Sequence, residues 1–325
     1  MHKPRILIAR AIFPEVVERL SQHFEVEANP QDVVWTLPEL LARLADKDGL
    51  LSTGSQRIDS ELMAVCPRLK IVANMAVGYN NFDIEAMTAA GVQGTNTPDV
   101  LTETTADFGF ALLLAAARRV SEAEHYLRAG QWQSWRYDLF AGAEVHGSTL
   151  GIIGMGRIGQ GIAQRGALGF GMEVIYHNRT PLEPAVEAQC QARYVGKEML
   201  LRSADHVLLV LPYTAESHHT IGAPELALMK PTATLVNIAR GGIVDDAALA
   251  HALRTRQIAA AGLDVFEDEP AVHPDLLALT NVVLTPHIAS ATVTTRLAMA
   301  NLAADNLIAF FAGRGALTPV NRVVD

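Results

Sequence analysis

Three short segments end in groups suited to acid–base and anion chemistry. LVNIARGG brings Arg240 ahead of Gly241-Gly242, GLDVFEDEP brings Glu269, and VVLTPHIAS brings His287. Each follows an apolar, β-rich run, so each group is expected just past the end of a strand. Histidine suits proton delivery near neutral pH, and a neighbouring carboxylate favours its imidazolium form. Arginine can grip a carboxylate through two parallel hydrogen bonds and polarise a carbonyl beside it. Arg240, Glu269 and His287 therefore form a complete catalytic set for reducing a 2-oxo acid. Singly, Arg240 would read as a structural ion pair, Glu269 as a solvated acidic turn and His287 as a satisfied loop histidine. Their succession after consecutive strands favours chemistry.

A hydride acceptor needs a hydride donor, and TLGIIGMGRIGQGIAQ provides a place for one. Gly154-x-Gly156-x-x-Gly159 follows an apolar strand and opens a helix. The first glycine allows the tight turn, the second lets the backbone approach a pyrophosphate, and the third packs helix on strand. The loop, with Met155, Arg157 and Ile158 between its glycines, is expected to bind a dinucleotide at the helix N-terminus. An acid that hydrogen-bonds a ribose is expected about 20 residues further on. The segment VIYHNRT has Asn178 there instead, 19 residues after Gly159, followed by Arg179. Asn178 removes the repulsion a carboxylate would exert on a 2′-phosphate, and Arg179 offers a planar fork for one. The cofactor expected is NADPH, with NADH as a possible substitute. The plainer alternative makes Arg179 a solvated loop residue.

These groups need strands to carry them. From residue 5 to about 96, the runs RILIA, FEVEA, GLLST and KIVANM alternate with helical stretches. One of those starts with a capping box at Thr36-Leu37-Pro38-Glu39, and another stops at Ala90-Gly91. A single long helix is expected over 102–129, closed by Gly130. Its apolar part FGFALLLAAA (108–117) reads as buried between domains or subunits. A stretch rich in Trp, Gly and polar residues (131–148) leads to the glycine loop. Six further strands are expected in TLGII, EVIYH, HVLLVLP, ATLVNIA, AAAGLDV and NVVLTP, and a final helix over 292–313. Strand–helix alternation implies parallel sheets covered on both faces. The fold class expected is α/β with two doubly wound domains. A Rossmann nucleotide-binding domain at 99–289 is inserted into a flavodoxin-like substrate domain made of 1–98 and 290–325. Ligands would then bind beyond the carboxyl ends of the strands, in a cleft between the lobes.

Composition excludes several classes. With 26 basic and 35 acidic residues the formal charge is −9, unsuited to non-specific nucleic-acid binding. The 325 residues are half hydrophobic and 19% charged, an ordinary globular balance. The N-terminal apolar run is too short for a signal peptide, and 108–117 is half a membrane span. Cys66 and Cys190 show no paired spacing, so reduced thiols are expected and no metal site. The expected compartment is the cytoplasm, with neither membrane nor nucleic acid as partner.

Taken together, NMAVGYNNFD, TTADFGFALLLAAARR, GIIGMGRIG, NIARGG, AAGLDVFEDEP and PHIASAT span nearly the whole chain. In these motifs it resembles the D-2-hydroxyacid dehydrogenases, and most closely their glyoxylate/hydroxypyruvate reductase branch, which includes 2-ketogluconate reductases. The resemblance implies that Arg240 binds the substrate carboxylate and carbonyl, that His287 is the acid/base, and that Glu269 tunes it. It implies that Val77 and Gly78 offer N–H groups to the substrate carboxylate and that Ser290 reaches the substrate. Thr105, Pro212, Ala239 and Asp264 would line the nicotinamide side, Asp264 on the carboxamide. Trp132 and Trp135 match a pair that belongs to a homodimerisation arm in the family. Trp135 would reach the partner's active site or, alternatively, pack on the dimer face. Three other functions share the fold. Formate-oxidising relatives carry Gln where this chain has Glu269, and phosphoglycerate oxidation lacks an extra basic cluster here. A nucleotide-sensing corepressor would carry a peptide groove and added tails.

Overall fold

The structure, a computed structural model, describes residues 3–323. The chain runs β1 (Arg5–Ile8), α1 (Pro14–His23), β2 (Glu25–Glu27), α2 (Leu37–Leu44), β3 (Gly49–Ser52), α3 (Ser60–Val65), β4 (Ile71–Asn74), α4 (Ile84–Ala89) and β5 (Gln93–Thr95). It continues through α5 (Thr102–Ala117), α6 (Val120–Arg128), β6 (Thr149–Ile153), α7 (Arg157–Gln164), β7 (Glu173–His177), α8 (Pro184–Cys190), β8 (Ala192–Tyr194), α9 (Lys197–Ser203) and β9 (His206–Leu209). It ends with α10 (Ala223–Leu226), β10 (Thr234–Asn237), α11 (Asp246–Arg254), β11 (Ala260–Leu263), α12 (Pro274–Leu277), β12 (Val282–Leu284) and α13 (Val293–Phe311). Two compact units result: residues up to Leu101 with those from Ala291 onward, and Thr102–Ser290.

In the first unit the strands form one parallel sheet in the order β2-β1-β3-β4-β5, a doubly wound arrangement. Alternation along each strand sends side chains to opposite faces. Leu7, Leu50 and Val72 pack on Leu40, Leu44, Leu62 and Met87 from α2, α3 and α4. Ile6, Ile8, Leu51 and Ile71 pack on Val16 and Leu20 of α1 and on Ala300, Ala304 and Leu307 of α13. Helix α2 has the expected start, with the Glu39 carboxylate accepting from the Thr36 N–H at 2.8 Å and its hydroxyl at 2.9 Å. After α13 the chain returns to the sheet edge, where the Val320 N–H donates to the Gly94 carbonyl at 2.9 Å.

The second unit holds a seven-stranded sheet in the order β12-β11-β10-β9-β6-β7-β8, all parallel. Counted within the unit, this is the 3-2-1-4-5-6 dinucleotide-binding order extended by one strand. Leu150, Ile152, Val174 and Leu208 face Leu112 and Leu113 of α5 and Ile162 of α7. Ile153, Ile175, Val207 and Leu235 face Leu200 of α9, Leu226 of α10 and Leu249 of α11. The α/β class and the two parallel sheets are as the alternation of the sequence implied.

Three details differ. The helix expected over 102–129 is broken, because Arg119 takes a left-handed conformation (φ 54°) and caps α6. The Ala117 carbonyl at the end of α5 is taken at 2.9 Å by the Ala143 N–H, which stops the helix continuing. Within the run 108–117, Gly109, Phe110, Leu112, Leu113, Ala116 and Ala117 are buried where α5 covers the sheet of its own unit, while Ala111 is exposed. Two short edge strands, β5 and β8, escape sequence reading because QGT and ARY carry no run of apolar, β-rich residues. No helix of the described residues is long and apolar enough to cross a membrane.

Candidate active site

A parallel sheet brings the ends of its strands to one edge. Gly154 follows β6, Asn178 follows β7, Pro212 lies just past β9, Arg240 past β10, Asp264 directly after β11 and His287 past β12. Every candidate group of the second unit in these segments thus stands at the carboxyl edge of the same sheet, where open α/β sheets bind ligands.

His287 and Glu269 meet there, with Nδ1 of the imidazole 2.9 Å from Oε2 of the carboxylate. The other oxygen of Glu269 accepts the Phe266 N–H at 3.0 Å, which fixes its rotamer. Burial pushes the Glu269 carboxyl up, but the hydrogen bond from His287, its charge, the Phe266 N–H and Arg240 outweigh this and hold it below the ordinary range. Since the carboxylate only accepts, Nδ1 of His287 is the donor and Nε2 is left for a ligand. His287 has φ 53°, a conformation rare for a residue with a Cβ. Asp264 lies beneath it with no exposed surface. One oxygen of Asp264 accepts from the Thr285 hydroxyl (2.7 Å) and the Ile288 N–H (2.8 Å), the other from the Ala289 N–H (2.8 Å). Burial raises its pKa, and these three donors partly offset the rise. Asp264 was expected against the nicotinamide carboxamide. Its two oxygens also anchor the loop that presents His287.

Arg240 is half-buried, its Nη1 donating to the Ala239 carbonyl at 2.7 Å. Burial lowers its pKa and the Glu269 charge opposes this, yet guanidinium stays charged at any working pH. A cation so desolvated gains most from an anionic ligand. Its loop is shaped by Asn237, which accepts the Ala239 N–H at 3.0 Å and donates to the Arg240 carbonyl at 3.1 Å. A Cβ on Gly241 would stand 1.6 Å from the Phe266 carbonyl oxygen, so only glycine lets the Arg240 loop lie against the loop leading to Glu269. Asn237, Thr285 and Gly241 carry no chemistry of their own, and residue type alone gave no reason to single them out.

The glycine loop separates into two kinds of requirement. A Cβ on Gly159 would lie 2.4 Å from the Gly154 carbonyl oxygen, and Gly154 itself has φ 101°. Those two are needed by the chain. Gly156 has an ordinary φ of −78°, and a Cβ there would meet no protein atom within 4 Å. Nothing in the chain demands glycine at 156, whereas a pyrophosphate drawn against the first turn of α7 does. Thr105, buried in α5, has a hydroxyl with no hydrogen-bond partner among the described residues, a second feature a bound dinucleotide would answer. Arg157 and Ile158 occupy that first turn. Met155 stands between the first two glycines of the loop. Its side chain is in the core, and its N–H donates to Asn178 Oδ1 at 2.7 Å. The same bond orients the Asn178 amide, so its Nδ2 donor faces away from the loop.

The remaining expected residues are placed without being gathered. Ala239 is buried, Pro212 is exposed and Ser290 is half-buried in the second unit. Val77 and Gly78 follow β4 in the first unit. Their carbonyls accept from Asn96 (2.8 Å) and Asn74 (3.1 Å), while their N–H groups have no acceptor among the described residues. Trp132 and Trp135 are exposed, Trp135 by 79%. One further cluster, His218, His219 and Glu267, could approach a metal ion. Its two imidazoles stack 3.8 Å apart at 22°, with His218 Nδ1 3.1 Å from the Tyr213 hydroxyl and His219 Nε2 2.9 Å from Glu267 Oε1.

Residues 110–289 match the family model described as D-isomer specific 2-hydroxyacid dehydrogenase, NAD binding domain. A glyoxylate reductase of Thermococcus onnurineus (strain NA1) is 51% identical over 326 residues, covering 99% of this chain and 97% of that protein. Two solved structures are similar over almost the whole length. An NADPH-dependent glyoxylate/hydroxypyruvate reductase from Sinorhizobium meliloti, in complex with NADP and malonate, has a TM-score of 0.84 at 39% identity and covers 99% of this chain and 100% of that one. A glyoxylate reductase from Paecilomyes thermophila has a TM-score of 0.88 at 33% identity, covering 98% and 99%.

Proposed function

The chain belongs to the D-isomer specific 2-hydroxyacid dehydrogenase family, and from that premise we propose that it is an NADPH-preferring reductase of small 2-oxo acids. Glyoxylate is the first substrate to consider, with hydroxypyruvate and 2-ketogluconate after it, each giving the D-2-hydroxy acid. The observation that carries the reading is the His287–Glu269 pair, 2.9 Å apart at the strand edge that also holds Arg240.

The glycine loop and the first turn of α7 would hold the nicotinamide cofactor, which would supply the hydride. The chain's residues do the rest. Arg240 takes the substrate carboxylate and polarises the neighbouring carbonyl. His287 delivers a proton from Nε2 to the carbonyl oxygen, while Nδ1 stays on Glu269. Glu269, ionised and gripped by the Phe266 N–H, stabilises the imidazolium and holds its orientation. By family resemblance the Val77 and Gly78 N–H groups are assigned to the substrate carboxylate, Ser290 to the substrate, and Pro212 and Ala239 to the nicotinamide side. Preference for NADPH follows from Asn178. Its oxygen is committed to the Met155 N–H, so it turns a donor towards the ribose where an acid would turn an acceptor. Arg179, next to it and exposed, supplies charge for a phosphate. The S. meliloti relative, described as NADPH-dependent, supports this cofactor.

The exposed aromatics Trp132, Trp135 and Tyr137 support a homodimer with Trp135 near the partner's site. A single species at monomer mass in light scattering would remove the dimer. Two free, buried thiols, Cys66 and Cys190, support a reducing compartment such as the cytoplasm. The test of the reaction is initial-rate oxidation of NADPH and NADH with each of the three 2-oxo acids. Turnover with NADPH well ahead of NADH is expected. Equal rates would overturn the cofactor preference alone. Absence of turnover, with cofactor still bound, would overturn the reductase and favour a nucleotide sensor.

A further inference from the structure

The turn carrying Arg179 joins β7 to α8, and two tyrosine hydroxyls hold it from opposite ends. Tyr176, in β7, has no exposed surface. Its hydroxyl accepts the Leu182 N–H at 2.7 Å and donates to Glu187 Oε1 at 2.7 Å, tying the end of the turn to the strand and to α8. Tyr194, on the edge strand β8, meets the Tyr176 ring edge-on, with centroids 5.5 Å apart at 72°. Its hydroxyl donates to the Asn178 carbonyl at 3.3 Å, at the start of the same turn. Only Arg179, Thr180 and Pro181 lie between these anchors, and all three are exposed.

Packing does not explain the hydroxyls. A phenylalanine would fill the core at 176 equally well, and the Tyr176 oxygen serves no group other than the turn and the helix after it. Exposed three-residue segments are ordinarily free to rearrange, and an arginine on one would have to be ordered anew at each encounter with a ligand. A turn tied at Asn178 and Leu182 presents its guanidinium already placed. We propose that Tyr176, assisted by Tyr194, is a positioning residue for cofactor choice: the paired hydroxyls fix the turn so that Arg179 meets a phosphate on the adenosine ribose. The inference rests on the NADPH reading above. It also predicts where the effect stops. In the sheet order, β7 and β8 lie at the opposite end from β10, β11 and β12, which carry Arg240, Glu269 and His287. Loosening the turn should leave the chemical step alone.

The test measures kcat and KM for NADPH and for NADH, with glyoxylate, in the wild type and in Arg179→Ala, Tyr176→Phe and Tyr194→Phe. Arg179→Ala should raise the KM for NADPH and not that for NADH. Tyr176→Phe should raise the KM for NADPH by about 3- to 10-fold, as loss of one ordered hydrogen bond implies, with kcat and the KM for NADH unchanged. Tyr194→Phe should act in the same direction, less strongly. If the two cofactors shift together, or neither shifts, the hydroxyls are only structural and the inference is overturned. If Arg179→Ala leaves NADPH untouched, the cofactor reading falls first and takes this inference with it. Should Tyr176→Phe not fold, Tyr194→Phe decides by the same criterion, because its ring lies on a half-buried edge strand.

Discussion

Replacing Glu269 by Gln tests the proton donor most directly, because it keeps the shape of the side chain and removes its charge. Unit charges 2.9 Å apart would attract by roughly 6 kcal/mol at an effective dielectric of about 20. His287 is 47% exposed and Glu269 34%, so solvent screens most of this; about 1–2 kcal/mol is a sounder figure for the pair. The Gln amide would not be neutral towards the imidazole. The Phe266 N–H needs an oxygen acceptor, which leaves the amide NH2 facing Nδ1 and favours an unprotonated Nδ1. Both effects oppose the imidazolium. Reduction needs a proton from His287, so a loss of about 1–2 kcal/mol at the pair should lower kcat/KM in Glu269→Gln about tenfold. Measured with saturating glyoxylate and varied NADPH, the loss should fall on kcat, with the KM for NADPH unchanged. A variant with wild-type kcat, or a loss confined to the KM for NADPH, would refute the tuning role of Glu269.

Other perturbations separate fold from function. Gly156→Ala should leave the melting temperature nearly unchanged, since its Cβ meets no protein atom, while raising the KM for both cofactors; Gly159→Ala, 2.4 Å from the Gly154 carbonyl, should instead lower the melting temperature. Equal thermal losses would refute the distinction. Asn178→Asp can still accept the Met155 N–H, but turns a carboxylate oxygen towards the ribose. The expected cost to NADPH is about 2 kcal/mol after screening, roughly 30-fold in KM, with NADH unaffected or improved; unchanged selectivity would sink the argument from Asn178. His206, with no exposed surface, has its pKa lowered by burial. The unfolded chain therefore takes up its proton first, so its contribution to stability is present above about pH 6.5 and is lost as pH falls towards the folded value. The drop in melting temperature from pH 7.5 to pH 5.5 should be smaller in His206→Gln, and an equal drop would exclude the histidine as its cause.

Much of the fold could be read from the chain because its long-range order is repetitive. Apolar runs such as GLLST and HVLLVLP are buried on both faces, and their alternation with helices allows few topologies. The starts and stops at Thr36 and Gly91 are local chemistry and were legible for that reason. What escaped depends on contacts made from a distance. Ala117 ends α5 because Ala143, far along the chain, takes its carbonyl. The strand β8 is three residues long and exists because Val174 and Tyr176 pair with Ala192 and Tyr194.

The same division runs through the candidate site. Arg240, Glu269 and His287 announce themselves because their side chains carry charge or a transferable proton. Asp264 is singled out by the family resemblance, and the structure adds a second part for it: two N–H groups and a hydroxyl from 285–289 bond its oxygens. A buried carboxylate with three internal donors holds a loop in place, and His287, at φ 53°, stands on that loop. Tyr176 is the converse case. Nothing in its type distinguishes it from any aromatic residue in a strand, yet its hydroxyl reaches the turn on which Arg179 stands. Side chains that touch ligands can be inferred from what they are. Those that place them can be inferred only from where their polar atoms end, so the hydrogen bonds of buried polar groups are where a structure adds most to a sequence of this kind.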